Sequence, residues 1–276
     1  MHSKRTLVQK IIFFAGFIVF FPRLAWAEPI PRHSWEFGTE VFNYVYKEPN
    51  VNVKVRGVMY GLVTAYTYHP DRFMLKLEGR NSFGQVDYSQ PSSGSNDNTG
   101  DYVFEGRVLA GYDVYYSETS STTYSVYSGF GYRFLSDPGG GTVTTLGLLG
   151  YDRKSNYYYL PIGLQGASPL GETWTIKATV ELDILLAGRQ TSELSTADPR
   201  YSDLDNDQNS GYGLRGAIRF QRAGERFDLA IEPFIRYWNI KDSERNNAYF
   251  RGVSIGEFIE PANNTLEAGV GLSASF

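Results

Sequence analysis

The sequence predicts an all-β chain folded as a transmembrane antiparallel up-and-down β-barrel of about ten strands. Three observations carry that expectation. From Trp35 to Phe276 the chain divides into segments, most of 12 or more residues, in which apolar and small or charged residues alternate with period two. The connections between these segments are alternately short and long. Beyond residue 27 no apolar run approaches the roughly 20 residues a membrane-crossing helix needs, so a spanning structure has to be built from strands.

The segments follow in order. The first strand covers about Ser34–Tyr46, with Trp35, Phe37, Thr39 and Val41 opposite Glu36, Gly38 and Glu40. The second, about Val53–Tyr68, sets Val58, Tyr60, Leu62 and Tyr66 on one face. In the third, about Arg72–Val86, Phe73, Leu75 and Leu77 alternate with Met74, Lys76 and Glu78. The fourth, about Asp101–Tyr116, opposes Tyr102, Phe104, Val108, Ala110 and Tyr112 to Glu105, Arg107 and Asp113. The fifth, about Thr122–Leu135, alternates Tyr124, Val126, Phe130, Tyr132 and Phe134 with small residues and Arg133. The sixth is about Asn156–Ala167. The seventh, about Thr173–Ala187, opposes Trp174, Ile176, Val180, Leu182 and Leu186 to Lys177, Glu181 and Asp183. The eighth and ninth are about Gly211–Arg222 and Arg226–Asn239. The tenth, Leu266–Phe276, places Leu266, Ala268, Val270, Leu272, Ala274 and Phe276 on one face and Glu267 with glycines and serines on the other.

The short links are His69–Asp71, Ser117–Ser121, Ser168–Glu172 and Ala223–Glu225. The long ones are Gln85–Gly100, Ser136–Ser155, Gly188–Ser210 and Ile240–Asn263, all rich in Gly, Asn, Asp and Ser. Only the brief first link, Lys47–Asn52, departs from strict alternation. Thr142–Tyr151 and Ala248–Ile259 have some strand character and would give twelve strands. Threading them in reverses the sidedness after the fifth strand, so ten is preferred. A soluble barrel has the same period and would pack the apolar face inward. The leader, the closing Phe276, the long segments of 12 or more residues and the loop asymmetry decide against it.

At the start, Lys4, Arg5 and Lys10 precede an apolar run, Ile11–Phe21, and Ala25-Trp26-Ala27 supplies the small residues a signal peptidase reads. Residues 1–27 are therefore expected to be a cleaved signal peptide and 28–276 a single barrel domain. The leader holds four of the 26 basic residues and no acid, leaving 22 basic against 30 acidic residues in the remainder. A balance of −8 opposes nucleic-acid binding. The chain has no cysteine, which excludes disulfides and thiolate chemistry. Its 21 tyrosines suit a bilayer interface and its 29 glycines a crowded barrel interior.

The closing segment, with its terminal Phe276, resembles the last strand of bacterial outer-membrane β-barrels. Ala274 departs from that pattern, which usually has a larger residue there. With the leader and the loop asymmetry, the whole chain beyond residue 27 resembles the small bacterial outer-membrane barrel proteins, porin-like or adhesin-like. The resemblance implies an outer-membrane location, contact with outer-membrane lipid and lipopolysaccharide, and recognition by the barrel-assembly machinery through Leu266, Val270, Leu272 and Phe276. It also implies short periplasmic turns and long extracellular loops.

If the apolar face meets lipid, ten acids point inward: Glu36, Glu40, Glu78, Glu105, Asp113, Glu181, Asp183, Asp228, Glu232 and Glu267. Eight bases join them: Lys76, Arg80, Arg107, Arg133, Lys177, Arg215, Arg219 and Arg236. Ten strands enclose little more than their own side chains, and an unpaired charge in that space loses hydration without compensation. The near-balance favours a lumen plugged by ion pairs over a selective pore, which would carry rings of one sign. The alternative is a small porin for ions or small solutes.

Barrels of this size include the omptin proteases, an outer-membrane phospholipase and lipid A acyl-modifying enzymes, all of which lean on a histidine. Here, beyond the leader, only His33 and His69 occur, both expected at the periplasmic rim. The likeness to omptins stops at strand number, and the expectation is a non-enzymatic protein without cofactors whose loops meet an extracellular ligand or serve surface structure. Asp203, Asp205 and Asp207 are spaced as in a calcium loop, but Gln208 and Leu214 stand where that motif wants glycine and glutamate. A solvated acidic loop, with weak divalent-ion binding as its alternative, is expected. The glycines 139–141 lack the strand–helix context and lysine of a phosphate cradle.

Overall fold

The computed structural model describes residues 32–276; the expected signal peptide lies outside the described residues. Thirteen strands follow in chain order among them: β1 (His33–Glu48), β2 (Val53–Tyr68), β3 (Phe73–Gln90), β4 (Gly94–Ser117), β5 (Thr122–Pro138), β6 (Asp152–Leu170), β7 (Trp174–Glu193), β8 (Leu204–Asp207), β9 (Gly211–Arg222), β10 (Asp228–Ile240), β11 (Asn246–Phe250), β12 (Val253–Phe258) and β13 (Asn263–Ser275). Ten of these close a ring in the order β1-β2-β3-β4-β5-β6-β7-β9-β10-β13, with β13 returning to β1. Ring order follows chain order, so every connection joins neighbours and the barrel is up-and-down.

Closure rests on β13. One edge pairs with β1 from Glu36↔Ser275 to Lys47↔Asn264, the other with β10 from Asp228↔Ser275 to Ile240↔Asn263. Phe276 extends the seam, exchanging backbone hydrogen bonds of 3.0 Å with Trp35 in both directions. No ring strand keeps an open edge, which is the condition for placing backbone in hydrocarbon.

The alternation locates β2 and β9 to the residue, and the differences gather at the end of the barrel away from the termini. Gln85–Gly100, expected as a long loop, is mostly strand: β3 continues to Gln90 and β4 begins at Gly94. Polar residues there read as loop because a lipid-facing strand would not tolerate them. A strand that has left the membrane tolerates them on its outer face, while Val86 stays inward at 1% exposure. β6 and β7 are lengthened at this distal end for the same reason. The twelve-strand alternative fails, since neither extra segment enters the ring. Thr142–Tyr151 carries only the bridge Val143↔Leu149, and Ala248–Ile259 falls largely in the separate β11–β12 hairpin.

The outer face of the ring is apolar. Phe37, Tyr60, Leu62, Leu77, Phe83, Val108, Phe130, Val180, Ile235 and Leu272 are all exposed, in a protein whose buried set includes Arg80, Arg133, Glu105 and Glu267. That inversion of the soluble arrangement fits a transmembrane barrel. Leu266, Leu272 and Phe276 are on this outer face and exposed, and Val270, of the same parity, is half-buried. The inner face is more apolar than the alternation suggested. Phe42, Met59, Tyr159, Trp238 and Ile240 are each at most 2% exposed and point inward among the charges.

Glycines make room for these rings. Gly131 lies across from Tyr159, and Gly163 across from Tyr127, in the β5–β6 register. A Cβ on Gly131 would stand 2.1 Å from Tyr159 Cζ, and one on Gly163 would stand 2.0 Å from Tyr127 Cζ. Replacing Gly131 with valine must displace a buried tyrosine, so Gly131→Val should cost about 1–3 kcal/mol. Urea unfolding of the protein in detergent micelles reads this; an unchanged midpoint would mean that the ring has space the packing denies it.

Candidate functional site

Consecutive residues of a strand alternate across the wall, so charges two apart along one strand stack within the lumen. β3 delivers Lys76, Glu78 and Arg80 in this way, β4 Glu105 and Arg107, and β7 Glu181 and Asp183. β1 adds Glu40, β5 Arg133, β9 Arg215, β10 Arg236 and β13 Glu267. These twelve side chains form one connected set of ion pairs. Arg80 contacts Glu267 at 2.8 Å and Glu40 and Glu105 at 3.2 Å. Arg236 contacts Glu40 at 2.8 Å and Glu267 at 3.3 Å. Arg215 meets Glu105 at 2.5 Å, Asp183 at 2.6 Å and Glu181 at 3.0 Å. Arg107 joins Glu181 at 2.6 Å to Glu78, and Lys76 ends the chain on Glu78 at 2.5 Å.

Two features give this network its character. It contains six acids and six bases, so it is formally neutral. It also spans the lumen: Arg133 on β5 reaches Glu267 on β13 at 3.0 Å, five strands away in either direction around the ring. Tyrosine hydroxyls fill the remaining acceptor positions, Tyr159 donating to Glu105 and Tyr127 to Glu181, each at 2.7 Å. Arg215 also lies over the Tyr159 ring, 5.5 Å from its centroid. Among the described residues four buried side-chain N or O atoms lack a hydrogen-bond partner: Nε of Arg80, Arg133 and Arg153, and Oδ1 of Asp183.

The other predicted inward charges separate from this set. Arg219 pairs with Glu36 at 2.7 Å and Glu232 at 3.6 Å in a smaller group nearer the termini. Asp228 accepts from Gln221 at 2.7 Å and from the Gly224 amide at 3.2 Å. Lys177 makes no ion pair among the described residues. Asp113, expected among the charge network, instead sits 3.4 Å from His69 Nε2 and accepts from Ser125 Oγ at 2.6 Å. Sequence could not foresee that grouping, because His69 is in a turn and meets Asp113 only through the β3–β4 register. The carboxylate stands between hydroxyl and imidazole, so base and nucleophile are not in contact. His33 is exposed, with Nδ1 2.7 Å from the Tyr66 hydroxyl.

Toward the distal end the network is capped by an apolar layer. Phe42, Tyr44, Val53, Val55, Met59, Val86, Val103 and Phe234 form one cluster, and Tyr157, Tyr159, Leu185, Trp238 and Ile240 another, with Leu135 touching both. Beyond it lies a second crossing that the sequence did not reveal. Arg153 on β6 contacts Glu48 on β1 at 2.8 Å, again five strands away, and also binds Glu260 in the β12–β13 connection. Tyr46 donates to Glu48 at 2.8 Å beneath it. Two buried carboxyls thus share one guanidinium. Burial pushes the Glu260 carboxyl up to about 7; Arg153 offsets this only in part, and the charge of Glu48 adds to it.

Asp203, Asp205 and Asp207 do not converge. Asp203 accepts from the Ser195 amide at 3.0 Å, Asp205 from Thr191 Oγ1 at 2.5 Å and Asp207 from Arg189 Nε at 2.9 Å. Among the described residues no three acidic or histidine side chains are placed to hold a metal ion.

No protein-family model matches the chain, and no curated protein sequence matches it. Solved structures do. The outer-membrane protease OmpT from Escherichia coli superposes with a TM-score of 0.63 over 88% of this chain and 96% of that one, at 11% identity. The translocator domain of the autotransporter NalP from Neisseria meningitidis gives 0.38, over 87% and 88%, at 10% identity. The COG4313 outer-membrane channel from Pseudomonas putida F1 gives 0.36, over 90% and 97%, at 13% identity. The likeness to OmpT is one of fold: this chain has the fold of a small ten-stranded outer-membrane β-barrel.

Removing one member of a buried, hydrogen-bonded ion network strands its partners. Arg80→Met should therefore cost about 3–5 kcal/mol, against at most about 1 kcal/mol for neutralising the exposed Arg189 in its pair with Asp207. Unfolding midpoints of the two variants in micelles compare them, and equal losses would place the stability elsewhere. Because Glu260 holds its proton more tightly when folded, its contribution is complete below about pH 4.5 and is lost as pH rises through about 7. The unfolding midpoint should fall from pH 5 to pH 8, and Glu260→Gln should flatten that slope; an unaltered slope would exclude Glu260 as the titrating group.

Proposed function

We propose that this is a non-enzymatic protein of the bacterial outer membrane, with its termini on the periplasmic side, a lumen closed to solutes, and distal loops that make contact outside the cell. The observation that carries the closed lumen is the pair of crossings between opposite walls, Arg133–Glu267 at mid-height and Arg153–Glu48 at the mouth, with a packed apolar layer between them. A conducting pore needs a continuous hydrated path with sites that ions can enter and leave. Charges neutralised six against six offer neither a selective sign nor free valence.

The absence of a catalytic role is supported by where the histidines fall. Both are near the termini, His69 is engaged by Asp113, and Ser125 points to the carboxylate rather than to the imidazole. OmpT is a protease, but a shared fold at 11% identity carries no activity with it. Contact outside the cell is supported by apolar residues exposed on the distal connections, Leu146, Leu148 and Leu149 after β5 and Val253, Ile255 and Phe258 in β12. Such exposure beyond the membrane marks a surface that meets a partner. Membrane partners follow from the same reading: outer-membrane lipid and lipopolysaccharide around the wall, and the barrel-assembly machinery at the strand that carries Leu266, Val270, Leu272 and Phe276.

In a planar bilayer the protein should be electrically silent. Steady single-channel openings that change when Arg107 or Arg133 is neutralised would replace this proposal with a small porin. Excising Asn247–Glu257 leaves the ring and the Glu260–Arg153 contact in place. Cells that display the shortened protein should adhere less to protein-coated surfaces, and unchanged adhesion would remove this hairpin from the contact surface.

A further inference from the structure

The outward face of β1 and β2 carries a second charged feature that neither the ion network nor the loops use. Climbing β2 away from the termini, the outward residues are Tyr66, Thr64, Leu62, Tyr60 and Val58, and then Arg56 and Lys54. From Tyr66 to Val58 the strand rises about 20 Å along the barrel axis, taking about 3.3 Å per residue and a tilt of about 40°. The lipid-facing band of such a barrel is about 25 Å tall, so Arg56 and Lys54 stand at and just above its upper border. β1 reaches the same level with Lys47.

The register brings these cations together. Lys47 lies directly opposite Lys54, and Arg56 lies opposite Val45, one outward position below Lys47. All three are exposed. Like charges placed directly across an antiparallel pair repel, and neither Lys47 nor Lys54 has an acid across from it on its other side. Among the described residues none of the three makes an ion pair. Lys47 is flanked on β13 by Asn264, and Lys54 on β3 by Ser89. Asp87 is across from Arg56 but accepts from the Asn98 amide at 3.2 Å and forms no ion pair with it. The opposite wall is built differently at the same rim: Lys154 pairs with Glu193 at 2.5 Å and Arg189 with Asp207 at 2.9 Å. In a chain with an excess of acids, three cations outside any ion pair are concentrated on one pair of strands where the apolar wall ends, and only Arg56 has an acid across from it.

We propose that Lys47, Lys54 and Arg56 form a binding site for the phosphate groups of a phosphorylated lipid in the outer leaflet. The acyl chains lie against Val45, Val58 and Tyr60, and the phosphates sit between Lys47, Lys54 and Arg56. The phosphates supply the counter-charge that the Lys47–Lys54 repulsion requires, at a level where a lipid headgroup can reach it. This inference rests on the reading that the distal rim faces the outer leaflet.

Native mass spectrometry and a micelle titration with bis-phosphorylated lipid A test it. The wild-type protein should retain lipid A, and K47Q/K54Q/R56Q should bind it on the order of a hundredfold more weakly, about tenfold or less for each charge removed. K154Q/R189Q, which removes the paired bases of the opposite wall, should bind as the wild type does. Raising the salt concentration should narrow the gap between wild type and triple variant. The proposal is overturned if the triple variant binds lipid A as tightly as wild type, if K154Q/R189Q weakens binding equally, or if inorganic phosphate competes as well as the lipid. Gel migration with and without boiling reports barrel formation in every variant. A wild-type protein that forms the barrel but does not enter bilayers defeats the membrane reading itself, separately from the site.

Discussion

The constraint on which the rest of this structure depends is charge neutrality in a narrow lumen. Ten strands enclose a space that side chains fill, and a charge placed there without a partner forfeits its hydration. Six carboxylates and six cations from eight strands of the wall satisfy the condition together. No pair in the set is independent. Arg80 alone holds Glu40, Glu105 and Glu267, which belong to three different strands. Each strand must therefore sit in one register for the network to close, and the network in turn fixes the registers.

The apolar layer complements the ion pairs. Phe42, Met59 and Trp238 would be expected outside a barrel in lipid, yet they fill the lumen on the distal side of the charges. They cover the network on that side, and ion pairs next to apolar packing interact more strongly than in water. The packing also explains the inner glycines: Tyr159 and Tyr127 need Gly131 and Gly163 across the β5–β6 pair. Outside, the wall presents an apolar face, and β13 ties the seam through Phe276 and Trp35.

Toward the distal end the barrel leaves the apolar band and its chemistry changes. Strands β3, β4, β6 and β7 continue beyond it, the Arg153–Glu48–Glu260 contact draws opposite walls together, and outward cations appear on β1 and β2. The rim is asymmetric. Bases on β6 and β7 are matched by acids, whereas those on β1 and β2 are not. The differentiated rim fits the proposed reading of a protein that acts through its outer surface and loops.

The sequence by itself determined the ring. Period-two alternation is a local property, so strands such as Val53–Tyr68 and Gly211–Arg222, their inward charges and the seam strand are legible residue by residue. Parity even places Arg80, Glu105 and Glu267 in the lumen. It does not say which charge meets which, because pairing depends on stagger between strands that are distant in the chain. Hence Asp113 meeting His69 rather than an arginine, Asp203 bonding the Ser195 amide while Asp205 and Asp207 face Arg189, and Arg153 crossing to Glu48 were decided only by the tertiary structure. Gln85–Gly100 was misread for a related reason. Polarity marks where a strand leaves lipid, and only the pairing of β3 with β4 shows that it remains a strand beyond that point.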